Sequence, residues 1–179
     1  MRRLLTWPNG RNLLALTLFG LSFTIAFQYL FSIIHRAMAP VTIIDLEFVG
    51  TPANLTAMTA AWGAAGTTAA QASLWVDYLF MPVYAALAGG LTLLTARASA
   101  GRWQTLGLWL ALAPLGAWVC DALENTLLLN SLPPAAPAPL ALTVAGLAAA
   151  VKFGLLAVCL VYVAAALIRL GLARFTRMP

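Results

Sequence analysis

Charged residues are scarce in this chain, at 8% of 179 residues, whereas 63% of the residues are hydrophobic. A soluble domain carries about 25% charged residues, so we expect lipid rather than water to be the main solvent of this protein. The single histidine excludes haem ligation by a histidine pair, and two cysteines without a CxxC motif argue against a thiol-redox enzyme. Walker, GxGxxG and HExxH motifs are also missing, so the sequence predicts no cofactor and no metal centre.

The basic residues lie at the ends of apolar runs, which is not the arrangement of a nucleic-acid-binding surface. Eight arginines occupy the two tails and one short link at 96–102, and no acidic residue accompanies them. This distribution follows the positive-inside rule, so both termini and the link are predicted to be cytoplasmic. The eight are Arg2, Arg3, Arg11, Arg97, Arg102, Arg169, Arg174 and Arg177.

Four apolar stretches are long enough to cross a bilayer, which takes about 20 residues in a helix. They lie at about 13–34, 74–95, 106–129 and 140–168. The fold class is therefore predicted to be all-α, an integral membrane four-helix bundle that forms one domain over residues 1–179. Pro82 and Pro114 fall inside two spans and should leave the carbonyls of Tyr78 and Leu110 without their helical partners.

The segment at about 37–73, between the first two spans, is predicted to lie outside the cytoplasm. Residues 41–49, VTIIDLEFV, alternate apolar and acidic side chains, and this period of two favours an extended conformation. Residues 41–62 are expected to rest at the membrane interface or to form a lid over the bundle.

A short amphipathic helix is predicted within that segment. Thr51 and Pro52 have the character of an N-cap and a first-turn proline. The apolar face of the helix would carry Leu55, Met58 and Trp62. Gly63 and Gly66 are expected to end it.

Polar residues interrupt the last two spans. Asp121, Glu124 and Asn125 share one helix face, and Lys152 lies near the middle of the fourth span. Ionisable groups at membrane depth are costly and by default indicate a functional site. Two carboxyl groups one turn apart cannot both ionise cheaply, which suits acid/base chemistry, so Asp121, Glu124 and Lys152 are the candidate catalytic residues. An inert interhelical ion-pair network explains the same residues equally well.

A second set of polar residues is predicted to bind or orient a ligand. All five acids, the only lysine and the only histidine fall in the outer half of the membrane or outside it, so the site should face outwards. The candidate ligand-binding residues are His35, Arg36, Asp45, Glu47, Asp77, Tyr84 and Asn125. Metal binding by His35 with Asp45, Glu47 or Asp121 is a minor alternative.

Four motifs occur in order along the chain: IIDLEFVGT at 43–51, AAWG at 60–63, DYLFMPVYA at 77–85 and DALEN at 121–125. Together they resemble an uncharacterised family of small bacterial four-span membrane proteins, over about half of the chain. The resemblance implies no activity. It implies a bacterial inner-membrane location and a set of residues that recur together: Asp45, Glu47, Trp62, Asp77, Pro82, Tyr84, Asp121, Glu124 and Asn125.

Three functions fit these observations. The first is an enzyme or binding protein for a lipid-like small molecule, such as an isoprenoid or quinone, that reaches an outward-facing site laterally from the membrane lipid. The second is a structural or accessory subunit, in an oligomer or with a partner subunit, whose buried charges are interhelical ion pairs. The third is a proton- or ion-coupled transporter, although the inner halves of the spans carry almost no polar residue.

Overall fold

A computed structural model describes the backbone of residues 2–175 and the side chains of residues 3–172. The side chains of Arg2, Arg174 and Arg177 from the predicted basic tails lie outside that part. Every regular element described is helical, with 3-10 helices at Arg2–Leu5 and His35–Met38. The α-helices are α1 (Gly10–Ile34), α2 (Ile43–Glu47), α3 (Pro52–Ala98), α4 (Arg102–Leu110), α5 (Ala113–Leu129) and α6 (Pro139–Phe175).

Four helical stretches are long enough and apolar enough to cross a membrane, as the sequence predicted. They are Gly10–Met38, Pro52–Ala98, Arg102–Leu129 and Pro139–Leu172. The prediction of an all-α chain with four candidate spans is thus confirmed within the described residues. The second stretch departs most from its predicted bounds, because its helix begins at Pro52 rather than near residue 74.

Residues 43–47 form a helix, so the prediction of an extended segment at 41–49 is wrong. α2 starts at a capping box: the Thr42 hydroxyl accepts from the Asp45 amide, and the Asp45 carboxylate accepts from the Thr42 amide at 2.7 Å. These two bonds satisfy amides that the helix start would otherwise leave free. As a strand, this short stretch would form no comparable backbone hydrogen bonds, because the described residues contain no other strand with which it could pair.

The segment predicted as a separate short helix and the second span are parts of one helix, α3. The Thr51 hydroxyl accepts a first-turn amide at 3.2 Å and Pro52 follows it, which confirms the predicted helix start. Gly63 interrupts the helix at φ 62° and ψ −166°, a conformation nearly restricted to glycine. The prediction that Gly66 ends the helix is wrong, because Gly66 is helical. Its missing side chain instead makes room for the Ala37 carbonyl, which would lie 2.7 Å from an added Cβ.

The third span consists of two helices, α4 and α5, separated at Ala111 and Leu112. Pro114 lies in the first turn of α5, where its missing N–H removes no helical hydrogen bond. The Leu110 carbonyl, predicted to lose its partner to Pro114, accepts a hydrogen bond from the Cys159 thiol at 3.3 Å. This bond therefore links α6 to the chain at the point where α4 ends.

α3 is the helix around which the others pack, because α1, α4, α5 and α6 all contact it. Ala70 and Leu74 of α3 belong to one buried apolar cluster, and Leu93 and Ala96 belong to another. Asp77 lies between these two clusters along the helix. Asp77 is therefore placed between two apolar clusters of the bundle.

Three arginine-bearing segments meet at one end of the bundle. Arg97 donates to the carbonyls of Leu4 and Pro8, at 2.8 Å each. The guanidinium of Arg169 lies 5.4 Å from the centre of the Trp103 ring. The N-terminal segment, the link between α3 and α4, and the last part of α6 thus share this end.

Candidate functional site

Lys152 on α6 is the centre of a buried charge cluster. Its Nζ lies 2.9 Å from Asp121 Oδ1 and 2.9 Å from Glu124 Oε2, both on α5, and 3.5 Å from Glu47 Oε1 on α2. Glu124 is 0% exposed, Asp121 2% and Lys152 5%. An isolated charge in such surroundings costs several kcal/mol, so the burial of each of these groups depends on the others.

Helical spacing explains how most of the cluster assembles. Asp121 and Glu124 lie three residues apart on one face of α5. Lys152 lies on the buried face of α6, which also carries Ala145 and Ala149. α5 and α6 pack closely against each other, and this brings the two faces together.

A second set of hydrogen bonds connects α3 to α5. The Tyr84 hydroxyl donates to Asp121 Oδ2 at 2.8 Å, while Asp121 Oδ1 accepts from the lysine. The Asn125 amide donates to Asp77 Oδ2 at 2.8 Å and to the Leu74 carbonyl at 3.2 Å. Asp121 is therefore held by an ammonium and a phenol, whereas Asp77 is held by a neutral amide.

Most of these polar groups line a cavity of about 470 Å³ among α1, α2, α3, α5 and α6. Cavities that hold drug-sized ligands measure about 300–1,000 Å³. Its polar lining residues are Gln28, His35, Glu47, Ser73, Asp77, Tyr84, Asp121, Asn125 and Lys152. The apolar lining residues, three of them phenylalanines, are Phe31, Ile43, Ile44, Leu74, Phe80, Phe153 and Leu156.

His35 reaches this cavity, but two other predicted ligand-binding residues do not. The His35 Nε2 forms a hydrogen bond with Ser73 Oγ at 2.8 Å. Arg36 and Asp45 are exposed and are not among the residues that line the cavity. Asp45 instead caps α2, and the hydrogen bonds from the Thr42 amide and hydroxyl lower the pKa of Asp45 from its ordinary value.

Glu47 brings a carboxylate into the cavity from α2. Burial raises the pKa of Glu47 from its ordinary value, an effect that the nearby Lys152 ammonium partly offsets. The Glu47 Oε2 atom is buried and has no hydrogen-bond partner among the described residues. Because an unmatched buried acceptor is costly, this oxygen favours a further donor or cation in the cavity.

Glu124 contributes to the cluster without lining the cavity. Its side chain is wholly buried against Lys152, and its Oε1 atom has no hydrogen-bond partner within the described residues. Of the three candidate catalytic residues, Asp121 and Lys152 can touch a ligand directly, and Glu124 can act only through the lysine.

Several lining residues were absent from the sequence prediction. Ser73 lies four residues before Asp77 and Phe80 three residues after it, so both share its helical face. Leu156 has the same relation to Lys152, four residues on. Helical spacing from the predicted acids and lysine was the signal that could have identified them.

In the part of the chain that the structure describes, no group of three or more His, Cys, Asp or Glu side chains could hold a metal ion. No protein family model, no curated protein and no solved structure matches the chain. The resemblance of its motifs to a bacterial four-span family therefore stays a prediction, and its function has to be argued from the cavity itself.

Proposed function

We propose that this protein is a membrane protein that binds a lipid-like small molecule in the cavity, where acid/base chemistry can act on it. The observation that carries the proposal is a cavity of about 470 Å³ that is lined both by apolar and aromatic side chains and by hydrogen-bonded charged groups. Ligand sites typically combine an apolar lining with a few placed polar groups. An amphipathic molecule matches this mixed lining, with its chain on the rings and its head group on the charges.

Lateral access from the membrane supports a ligand of this kind. Ile44 on α2 and Phe153 on α6 line the cavity and are also exposed at the surface of the bundle. Both are apolar, so this side of the cavity is compatible with contact with lipid chains. A lipid-like molecule can thus arrive from the bilayer without passing through water.

The residues take distinct roles in this proposal. Asp121 and Lys152 are joined by a 2.9 Å hydrogen bond and line the cavity, so they are placed to exchange a proton with a head group. Tyr84 orients Asp121 through its own hydrogen bond. Glu124 is a positioning residue, because it touches the lysine and does not line the cavity.

We further propose a bacterial inner-membrane location with both termini in the cytoplasm and the cavity in the outer half of the bilayer. The arginines support this orientation, because Arg97 and Arg169 lie at the same end of the bundle. Every acid of the chain lies away from the arginine-bearing segments in the sequence.

Filling the cavity tests the binding proposal. Leu156→Trp adds a large ring to the cavity lining, and we expect it to lower cross-linking of a photoreactive dodecanol to the cavity peptides at least about tenfold. Leu147→Trp is the matched control, since Leu147 lies on the exposed face of the same helix. The measurement is mass spectrometry of cross-linked protein in lipid nanodiscs. Equal labelling of both variants would contradict a ligand in this cavity.

A structural or accessory subunit is the second candidate function. The observation that favours it is the number of elements joined by the charge cluster: Lys152 connects α6 to α5 and α2, and Tyr84 adds α3. In that case the ion pairs would hold the helices together, in this chain or beside a partner subunit, and no ligand would be needed.

A further inference from the structure

We propose that the ligand is an amphipathic amine, whose ammonium head group pairs with Asp77 and Glu47 while its chain lies along Phe31, Phe80 and Phe153. This inference rests on the proposed binding function and specifies its ligand class. It excludes fatty acids and phospholipid phosphates as the preferred ligand.

The charge balance of the site is the first support. Four carboxyl groups, from Glu47, Asp77, Asp121 and Glu124, share the site with one ammonium. That ammonium, on Lys152, already has three carboxylates within 3.5 Å. Burying ionised groups costs several kcal/mol each unless they are paired. A second cation lowers that cost, whereas an anionic head group raises it.

Asp77 is the carboxyl group best placed for an incoming cation. Its Oδ2 accepts from the neutral Asn125 amide, and none of the ion pairs among the described residues includes it. Its side chain lines the cavity and is only partly buried. The unpartnered Oε2 of Glu47 is a second acceptor on the α2 side of the same space.

Aromatic rings supply the other half of an ammonium site. The rings of Phe31 and Phe80 lie 5.6 Å apart, and those of Phe80 and Tyr84 lie 5.5 Å apart, all beside the cavity. The Lys152 Nζ already lies 4.7 Å from the centre of the Phe153 ring. Cations within about 6 Å of a ring centre are attracted to its face. Ring faces combined with carboxylates favour an ammonium over a hydroxyl or a phosphate.

Protonation of the carboxyl groups is the competing way to remove the excess negative charge. A site neutralised by protons would have no reason to prefer an ammonium. It would accept an alcohol of the same chain length equally well, because a protonated carboxyl group can donate to a hydroxyl or accept from it. The preference between an amine and an alcohol therefore separates the two states.

Three photoreactive probes of equal chain length test the proposal: dodecylamine, dodecanol and dodecanoic acid, each with a diazirine in the chain. The full-length protein in lipid nanodiscs is cross-linked to each probe, and the labelled peptides are identified by mass spectrometry. We expect the amine to label the peptides around Asp77 and Lys152 at least about tenfold more than the alcohol, a difference of about 1.4 kcal/mol. The acid should label them least.

Removal of one carboxylate tests where the head group lies. We expect Asp77→Asn to lower amine labelling about tenfold and to leave alcohol labelling unchanged, while Asp77→Glu keeps the preference for the amine. Asp45→Asn is the matched control, because it removes the same charge from an exposed residue outside the cavity, while the asparagine side-chain oxygen can still accept from the Thr42 amide that caps α2. It should change neither probe. Labelling by the alcohol also reports whether each variant is folded.

Each outcome has a defined meaning. Equal labelling of the wild-type cavity by amine and alcohol overturns the amine assignment and leaves the proposed binding function standing. Labelling of the cavity by none of the three probes overturns both. An amine preference that persists in Asp77→Asn overturns Asp77 as the head-group contact. If Asp77→Asn fails to fold, the comparison of the probes on the wild-type protein still decides the ligand class.

Discussion

Lys152 joins three helices through one ammonium group, because its Nζ lies within 3.5 Å of carboxylates on α5 and α2. In the sequence, an interhelical ion pair was one of two explanations for the buried lysine and acids, and the structure shows Lys152 at 2.9 Å from both Asp121 and Glu124. Glu47, the third partner, was predicted only as a ligand-binding residue. Its place in the cluster depends on how α2 packs against α5 and α6, and that tertiary contact leaves no periodic signal in the sequence.

Removal of the lysine charge should destabilise the protein strongly. Lys152→Met leaves buried carboxylates without their cation, and breaking a buried ion pair in this way typically costs about 3–5 kcal/mol. We expect a lower thermal unfolding midpoint in detergent. The control variant combines Lys152→Met with Asp121→Asn and Glu124→Gln, which also removes the two partner charges at 2.9 Å and leaves only that of Glu47, so it should restore much of the stability.

The same pair of variants separates the two candidate functions. If the cluster is only structural, the triple variant should recover both stability and any activity in cells. If the cavity is a working site, the triple variant should recover stability but not activity in cells, because Asp121 and Lys152 can no longer exchange a proton with a head group. A single Lys152→Met variant as stable as the wild type would contradict a role of the cluster in holding the helices.

The sequence predicted where helices begin better than how far they continue. The Thr51 and Pro52 signal was correct because capping depends on a few local hydrogen bonds. The alternation at 41–49 led to a wrong prediction of an extended segment, because a five-residue helix with a capping box can have the same pattern of apolar and acidic residues as a short strand. Gly63 was predicted to stop a helix, yet the chain re-enters the helix beyond it. When the helical segments before and after such a residue both stay packed, its unusual conformation bends the helix and does not end it.

Gly63→Ala should weaken the fold at this bend. A Cβ at φ 62° and ψ −166° is strained by about 1–3 kcal/mol, although no neighbouring atom lies within 4 Å of it. The bend helps Trp62 donate to the Val41 carbonyl at 3.1 Å, a bond that holds the segment leading into α2. We therefore expect a lower unfolding midpoint and less cross-linking in the cavity.

Gly154→Ala is the matched control for the Gly63 variant. Gly154 is helical and an added Cβ there meets nothing within 4 Å, so alanine should be neutral or stabilise the helix by up to about 1 kcal/mol. Equal unfolding midpoints for the two alanine variants would show that the conformation at Gly63 is not strained by a side chain.

At the scale of the whole molecule, the sequence predicted the number of spans but not their order in space. Hydropathy predicts which segments are apolar enough to leave water, but it does not predict which helix lies at the centre of the bundle. The central place of α3 follows from close contacts, such as that of Gly20 on α1 with the backbone of Leu87. The cavity depends on this packing, because five helices contribute residues to its walls.

The orientation of the whole bundle decides from which leaflet a ligand would come, and labelling of single cysteines can measure it. In a variant with Cys120→Ala and Cys159→Ala, we would introduce either Ala100→Cys, in the link between α3 and α4, or Ala135→Cys, in the turn between α5 and α6; both sites are exposed. If the arginine-bearing end faces the cytoplasm, a membrane-impermeant maleimide should label Ala135→Cys in intact bacterial cells. It should label Ala100→Cys only after the membrane is opened. The reverse labelling pattern would contradict the proposed orientation and show that the bundle is inverted. The cavity would then open towards the cytoplasmic leaflet, and its ligand would have to be a molecule made or presented on that side.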